Sequence, residues 1–457
     1  MNSTENERVY LKIYDYETKE FSGLTTYHGL VRIYNSNTWP SRIFWSIVVL
    51  SCLSLFMIHS GYLLLGYHLK PTLFQIDTVV PSDGILFPDV SICNLNSLNL
   101  SRAQEYNLTT PVLNYLLGFF DDIAKTPNEA NLNDHMKYLA YKKNYFLETG
   151  HKFNILEVFE NISKRCEETI VSCSFGRQQI TNCCQYIVTE LTELGLCFRI
   201  AKERKEHRQQ FSGYGFGWEL VLNGNNENQE GTIFSDFNAE HGFAIMVHES
   251  KKFPRINSNA VLVSPRTTLY TSISMKNITL LDKSNWGSCN IDGNTSESTL
   301  KYTANHCEVQ CRVKQFLSFC NCVPLAYSAR NIIENTEKLC SPVEITTCSH
   351  ELQKNNVLTS SCICASECNL VEFDLSNSYS NTPEKRTTHK IYTEMQIQRD
   401  LSFVSLSFPH VSYERLEQQK QLQTADLLSN IAGSMGLFLA EVTGKPQLRN
   451  CMVKIIL

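Results

Sequence analysis

Ile43 to Leu69 reads IFWSIVVLSCLSLFMIHSGYLLLGYHL, 27 residues without Asp, Glu, Lys or Arg. A run of this length crosses a bilayer as a tilted helix. The alternative is a buried core helix, but such helices are usually shorter and carry a polar stripe. The run is not a cleavable signal, since residues 1–42 precede it and are rich in polar and charged side chains. Arg32 and Arg42 flank its N-terminal side, with Arg8, Lys12 and Lys19 further back. The positive-inside rule then makes residues 1–42 a cytosolic arm and 43–69 the first transmembrane helix, and places everything after Lys70 outside.

Cysteine usage agrees with that orientation. Sixteen of the 18 cysteines fall between Cys93 and Cys368, an even number in the segment placed outside. Oxidising compartments turn such density into disulfides rather than metal sites or thiols. Five N-x-Ser/Thr sequons, at Asn99, Asn107, Asn161, Asn277 and Asn294, lie in the same segment. Net charge is -5, with no basic stripe, so nothing suggests a nucleic-acid partner.

The outer region, residues 70–424, mixes elements. Glu219–Asn223 and Phe243–His248 read as strands, and Val404–Phe408 alternates as a half-buried strand does. Residues 223–231, rich in Asn and Gly, read as a loop. Cys307–Phe319 reads as a short helix with Cys307 and Cys311 on one face. Cys362 and Cys364 share a face of an extended segment. Laid antiparallel, the two suggest a nested ladder, Cys311–Cys362, Cys307–Cys364 and Cys289–Cys368, although spacing alone does not prove connectivity. Stapling the fold is the role assigned to all of these cysteines, and none is read as catalytic.

Four motifs in order carry a family resemblance: His28-Gly29 in TTYHG, FPDVSICNLN at Phe87–Asn96, Trp286–Cys289 (WGSC) opening the cysteine ladder, and LLSNIAGSMGLFL at Leu427–Leu439. Together they resemble the degenerin/epithelial sodium channel family, over roughly Thr25 to Leu439, with spacing similar to its acid-sensing and peptide-gated branch. The resemblance implies an α+β membrane protein with two transmembrane helices. Between them stands a large disulfide-rich extracellular domain built on a central β-sheet with a helical thumb. It implies a homo- or hetero-trimer of related subunits in the plasma membrane bilayer, multi-pass, conducting Na⁺ and blocked by amiloride, with no cofactor and no metal site.

By the same resemblance Cys93 pairs with Cys197 and Cys166 with Cys173. Cys320, Cys322, Cys340 and Cys348 supply two more bridges of the thumb, while Cys183 and Cys184 are left either free or partnered elsewhere. His28 and Gly29 match a gating motif. The backbone conformations open to glycine would let the chain re-enter beneath the pore there. Trp286 matches a coupling tryptophan that touches an aromatic residue just outside the first helix; Tyr67 is the nearest candidate, at an altered spacing. The histidine pair common in the proton-sensing branch would fall at Thr72 and Leu73, so acid gating is not supported. An extracellular peptide ligand, or constitutive activity, is at least as well supported as a proton ligand.

The second membrane segment departs from the family. Residues 425–442 begin such a helix, and 443–457 form a divergent tail. No Gly-x-Ser tract follows Leu439, and Glu441, Lys445, Pro446 and Arg449 interrupt any apolar run. Leu427–Leu439 is 13 residues, about 20 Å of helix against about 30 Å of hydrocarbon. This second helix is therefore expected to be incomplete, and the chain as written a poor or non-conducting subunit. If a pore forms, Ser429, Gly433, Ser434 and Gly436 are expected along its upper part, where small side chains let helices approach. An enzyme is not expected, because no HExxH, GxSxG or Gly-rich phosphate loop is present. The rival class is a single-pass, cysteine-rich surface receptor or regulatory subunit.

Overall fold

The computed structural model describes residues 16–18, 20, 28–120, 132–192, 194–201, 205–224, 241–250, 260–290, 302–328, 338–354, 362–381 and 401–440. In chain order these begin with helices α1 (His28–Tyr34) and α2 (Trp39–His68), then strands β1 (Thr72–Val79), β2 (Ile85–Leu86) and β3 (Asp89–Asn94). Helices α3 (Leu100–Glu105), α4 (Thr110–Leu117), α5 (Leu132–Thr149), α6 (Ile155–Ile162) and α7 (Cys166–Thr169) follow. Next come β4 (Ile170–Phe175), β5 (Gln178–Ile180), β6 (Ile187–Thr192), β7 (Gly195–Ile200), β8 (Arg208–Gln209) and β9 (Trp218–Asn223). Then come β10 (Phe243–His248), β11 (Val261–Val263) and β12 (Thr267–Thr279), and helices α8 (Ala304–Cys320), α9 (Leu325–Ser328) and α10 (Pro342–Lys354). The chain closes with β13 (Asn369–Asn381), β14 (Leu401–Ser407), β15 (Tyr413–Lys420) and α11 (Thr424–Met435), which runs on into a π-helical turn, Gly436–Ala440.

The chain divides into two compact units, residues 1–74 with 418–457, and residues 75–417. In the first, α2 starts four residues before the uncharged run. Pro40 sits in its first turn, where the missing N–H costs nothing, and Arg42 N donates to the Thr38 carbonyl at 3.1 Å. It is the one helix among the described residues long and apolar enough to cross a membrane, with a mean hydropathy of 2.0 in its most apolar stretch.

The second unit is held by a mixed eight-stranded sheet, ordered β1-β15-β12-β14-β9-β4-β5 with β13 also on β12, and a five-stranded sheet, β11-β10-β3-β7-β6. Each sheet contributes one face to a shared core, with Ile92, Phe198 and Phe243 from the smaller and Leu220, Leu269 and Val404 from the larger. A second core gathers under α3–α6, and a third under α8–α10. Strand β14 is buried along its whole length rather than half-buried: Val404 and Leu406 pack into the shared core, while Leu401 and Phe403 on its other face join Val221 in a separate apolar cluster. Of the Asn/Gly-rich stretch, residues 225–231 lie outside the described residues.

Eight disulfides cross-link this unit. The ladder is Cys289–Cys368, Cys307–Cys364 and Cys311–Cys362, with Cys320–Cys348 and Cys322–Cys340 beneath it and Cys93–Cys197 joining β3 to β7. One pairing corrects the expectation. Cys166 does not bond Cys173; the bridges are Cys166–Cys184 and Cys173–Cys183. The β4–β5 hairpin folds the chain back so that the turn at Cys183–Tyr186 returns to β4 and α7. Neighbouring cysteines, about 3.8 Å apart at Cα, are too close for an ordinary bridge to each other, so the pair divides between two partners.

Candidate functional site

The expected pore residues sit on α11. Ser429, Gly433 and Gly436 are exposed and spaced i, i+4, i+7, one helical face. A Cβ added at Gly433 or Gly436 would meet nothing within 4 Å. Ser434 does not share that face. It is buried, donates to the Asn430 carbonyl at 2.7 Å, and lies 3.1 Å from His59 Nδ1 on α2. Because the serine proton is committed to Asn430, His59 Nδ1–H is the donor to Ser434 Oγ. Leu427, seven residues back, is buried on the same side. The ends of the two helices meet where Tyr67 Oη lies 3.3 Å from Thr424 Oγ1 and Gln421 N donates to the Pro71 carbonyl at 3.0 Å. His59 was not singled out in the sequence; its signal is a polar ring inside the uncharged run Ile43–Leu69. Residues 441–457, with Glu441, Lys445, Pro446 and Arg449, lie outside the described residues.

His28 and Gly29 open α1. Gly29 is therefore in a helical turn, a conformation open to any residue, and glycine's special freedom is not used there. The corner between α1 and α2 is closed by Ser36 Oγ donating to the Arg32 carbonyl at 2.6 Å and by Arg42 Nε donating to the Ser36 carbonyl at 3.0 Å.

In the second unit, Trp286 occupies a closed turn. Asn285 N and Gly287 N both donate to the Asp282 carbonyl, at 3.0 and 2.8 Å, and Asp282 bridges Cys289. Trp286 takes a left-handed φ of 78°. Gly287 is required for packing: a Cβ there would stand 1.6 Å from the Leu281 carbonyl oxygen. The Cys289–Cys368 bridge and the Leu280 N to Cys368 O hydrogen bond (2.7 Å) fasten this turn to the start of β13.

The smaller sheet carries a buried charged cluster that sequence reading missed. Asp89 is fully buried and paired with Arg199, whose Nε also reaches Glu190 at 2.7 Å. Beside them His248 Nε2 lies 2.8 Å from Ser91 Oγ, and Nδ1 lies 3.1 Å from the Glu249 carbonyl. In the neutral tautomer Nδ1–H donates to that carbonyl and Nε2 accepts from the serine. Burial pushes the His248 pKa down, Arg199 adds to this, and the Glu249 carbonyl, Asp89 and Glu190 oppose it. The signals were Asp89 within FPDVSICNLN and a histidine ending an apolar strand.

Of the sequons, Asn107 and Asn161 are exposed, while Asn277 is half-buried inside β12 between β13 and β15. Asn99 is half-buried and caps α3, its Oδ1 accepting from Arg102 N at 3.2 Å. Asn294 lies outside the described residues. Among the described residues no cluster of His, Cys, Asp and Glu is arranged to hold a metal.

The model of the amiloride-sensitive sodium channel family matches residues 21–440. The chain belongs to that family. Acid-sensing ion channel 2 of Danio rerio is 25% identical over 86% of this chain and 74% of its own length. Acid-sensing ion channel 1 of Gallus gallus is 23% identical over 92% of this chain and 80% of its own. The bile acid-sensitive ion channel of Homo sapiens is 23% identical over 92% and 82%. Among solved structures, a proton-activated chloride channel aligns over 91% of this chain and 98% of its own at a TM-score of 0.31 and 9% identity, a likeness that carries no argument. Family membership makes the protein an ion-channel subunit rather than an enzyme, with a disulfide-rich domain and a membrane-crossing helix.

Proposed function

We propose that the chain is a subunit of a trimeric, amiloride-sensitive Na⁺ channel of the plasma membrane. Its N-terminus is cytosolic, α2 and α11 line the membrane, and residues 75–417 are extracellular. The observation that carries this reading is the exposed face of Ser429, Gly433 and Gly436 on a helix whose opposite side is hydrogen-bonded to α2 through Ser434 and His59. That face is free for like helices of two further subunits. His28 and Gly29 act in gating at the cytosolic mouth, and the Trp286 turn passes movement of the outer domain to the membrane helices. Gating is by an extracellular peptide or is constitutive, since Thr72 and Leu73 replace the expected histidine pair.

Glu441, Lys445 and Arg449 follow Ala440, and each charge at depth costs about 3 kcal/mol. Conduction therefore depends on related subunits. Patch-clamp of cells expressing the chain alone and with a related subunit tests this. We expect little current alone and a changed amiloride-blocked Na⁺ current on co-expression. An unchanged partner current, with no association on co-purification, overturns the proposal.

A second reading, a single-pass surface receptor, draws on α2 being the one membrane-length apolar helix among the described residues. Protease protection of a C-terminal tag separates the two: protection in intact cells supports two crossings, and cleavage from outside supports one.

A further inference from the structure

The larger sheet has two unlike faces. Leu269, Val404, Leu220 and Cys173 point into the core. On the other face the strand registers align Tyr270, Ser405, Glu219 and Ser174 in one row across β12, β14, β9 and β4. The neighbouring row holds Thr268, Phe403, Val221 and Ser172. Together they floor an open cavity of about 380 Å³.

Three features of this cavity go beyond ordinary surface. Ser405 is only 6% exposed, yet its Oγ has no hydrogen-bond partner among the described residues. A buried hydroxyl left without a partner is unfavourable, so the site holds unused hydrogen-bonding capacity. Glu219 accepts from Ser174 Oγ at 3.2 Å and makes no ion pair among the described residues. Arg177, in the β4–β5 turn, rests its guanidinium 4.3 Å from the Phe216 ring centre. Arg177 Nε and Glu219 Oε1 lie 3.7 and 3.8 Å from the point where a Cβ on Gly215 would sit. Gly215 has φ +82° and no side chain, so the gap between the two opposite charges stays open. The cavity thus offers a carboxylate ringed by hydroxyls, a nearby cation, and an apolar strip at Phe403 and Val221.

We propose that this face binds a small zwitterion of the α-amino-acid class. Its ammonium sits on Glu219 with the Ser174 and Ser405 hydroxyls. Its carboxylate meets Arg177, and an apolar side chain lies over Phe403 and Val221. A hydrophobic pocket with a few placed polar groups is the common design for small ligands, and the charged groups fix orientation. The proposal does not depend on conduction, because its readout is binding.

The test is calorimetric titration of the full chain in detergent micelles with L-phenylalanine, phenethylamine and 3-phenylpropionate. L-Phenylalanine is expected to bind at least tenfold more tightly than either analogue, which each lack one charge. Glu219→Gln and Arg177→Gln, both at exposed positions, should each weaken binding about tenfold, and Ser405→Ala several-fold, with unchanged thermal unfolding. Absence of L-phenylalanine binding overturns the proposal, as does equal affinity for all three probes or binding that none of the variants alters. It is also overturned if Glu219→Gln and Arg177→Gln change oligomer size on light scattering without altering binding, for the face then belongs to a neighbouring subunit.

Discussion

The two compact units solve opposite solvent problems. Residues 75–417 bury their apolar side chains in cores and add eight disulfides, all within that unit. Helix α2 turns its apolar residues outward: Leu50, Met57 and Leu65 are each more than half exposed. In water that exposure would be unfavourable at roughly 25 cal/mol per Å²; in hydrocarbon it costs nothing. Exposed leucine in one unit and buried leucine in the other express the same hydrophobic effect. Between α2 and α11 a hydrogen bond, Ser434–His59, stands where the other unit places a core.

The largest effect is expected at the buried charges of the larger unit. Asp89→Ala leaves Arg199 buried beside Glu190 alone, and thermal unfolding of the full chain in micelles should show a loss of about 3–5 kcal/mol. A smaller effect is expected from opening the ladder. Cys311→Ser with Cys362→Ser should cost about 2–4 kcal/mol and speed tryptic cleavage near α8, whereas Cys52→Ser, at a cysteine of α2 outside the disulfide framework, should change neither.

Acidity should act on one unit only. The folded His248 pKa lies below its unfolded value near 6.5, so the unfolded chain takes the proton first. Stability is intact above about pH 6.5 and declines as pH falls through the depressed value. His248→Gln should flatten the slope of melting temperature against pH below 6.5. The smallest change in stability belongs to the membrane unit. Ser434→Ala should cost about 0.6 kcal/mol. Gly433→Leu should leave the subunit's own fold intact, since nothing lies within 4 Å, while reducing oligomer yield on gel filtration.

Much of this architecture was legible in one dimension. An uncharged run such as Ile43–Leu69 states its environment through composition, because every side chain must tolerate the same solvent. The cysteine ladder was legible because Cys307 and Cys311 share a helical face and Cys362 and Cys364 a strand face, so local periodicity already limits their partners. The pairing of Cys166 and Cys173 was not legible. It depends on where the β4–β5 hairpin returns Cys183 and Cys184, a long-range placement that spacing does not encode. Nor was the burial of both faces of β14, which rests on two apolar clusters drawn from strands far apart in the chain.

Within the membrane unit the sequence marked Ser429, Gly433, Ser434 and Gly436 as small, and smallness is a property of each residue alone. Which of them face outward is a property of two helices packed together. Only the tertiary structure turned Ser434 onto His59 and left the other three on an open face. The same holds for Asp89, Arg199 and His248, far apart in the chain and joined by strand pairing. Composition and periodicity determined where segments reside and what they are; the partners of individual polar groups were decided by packing, because a hydrogen bond needs two atoms placed within about 3 Å and no local rule supplies the second.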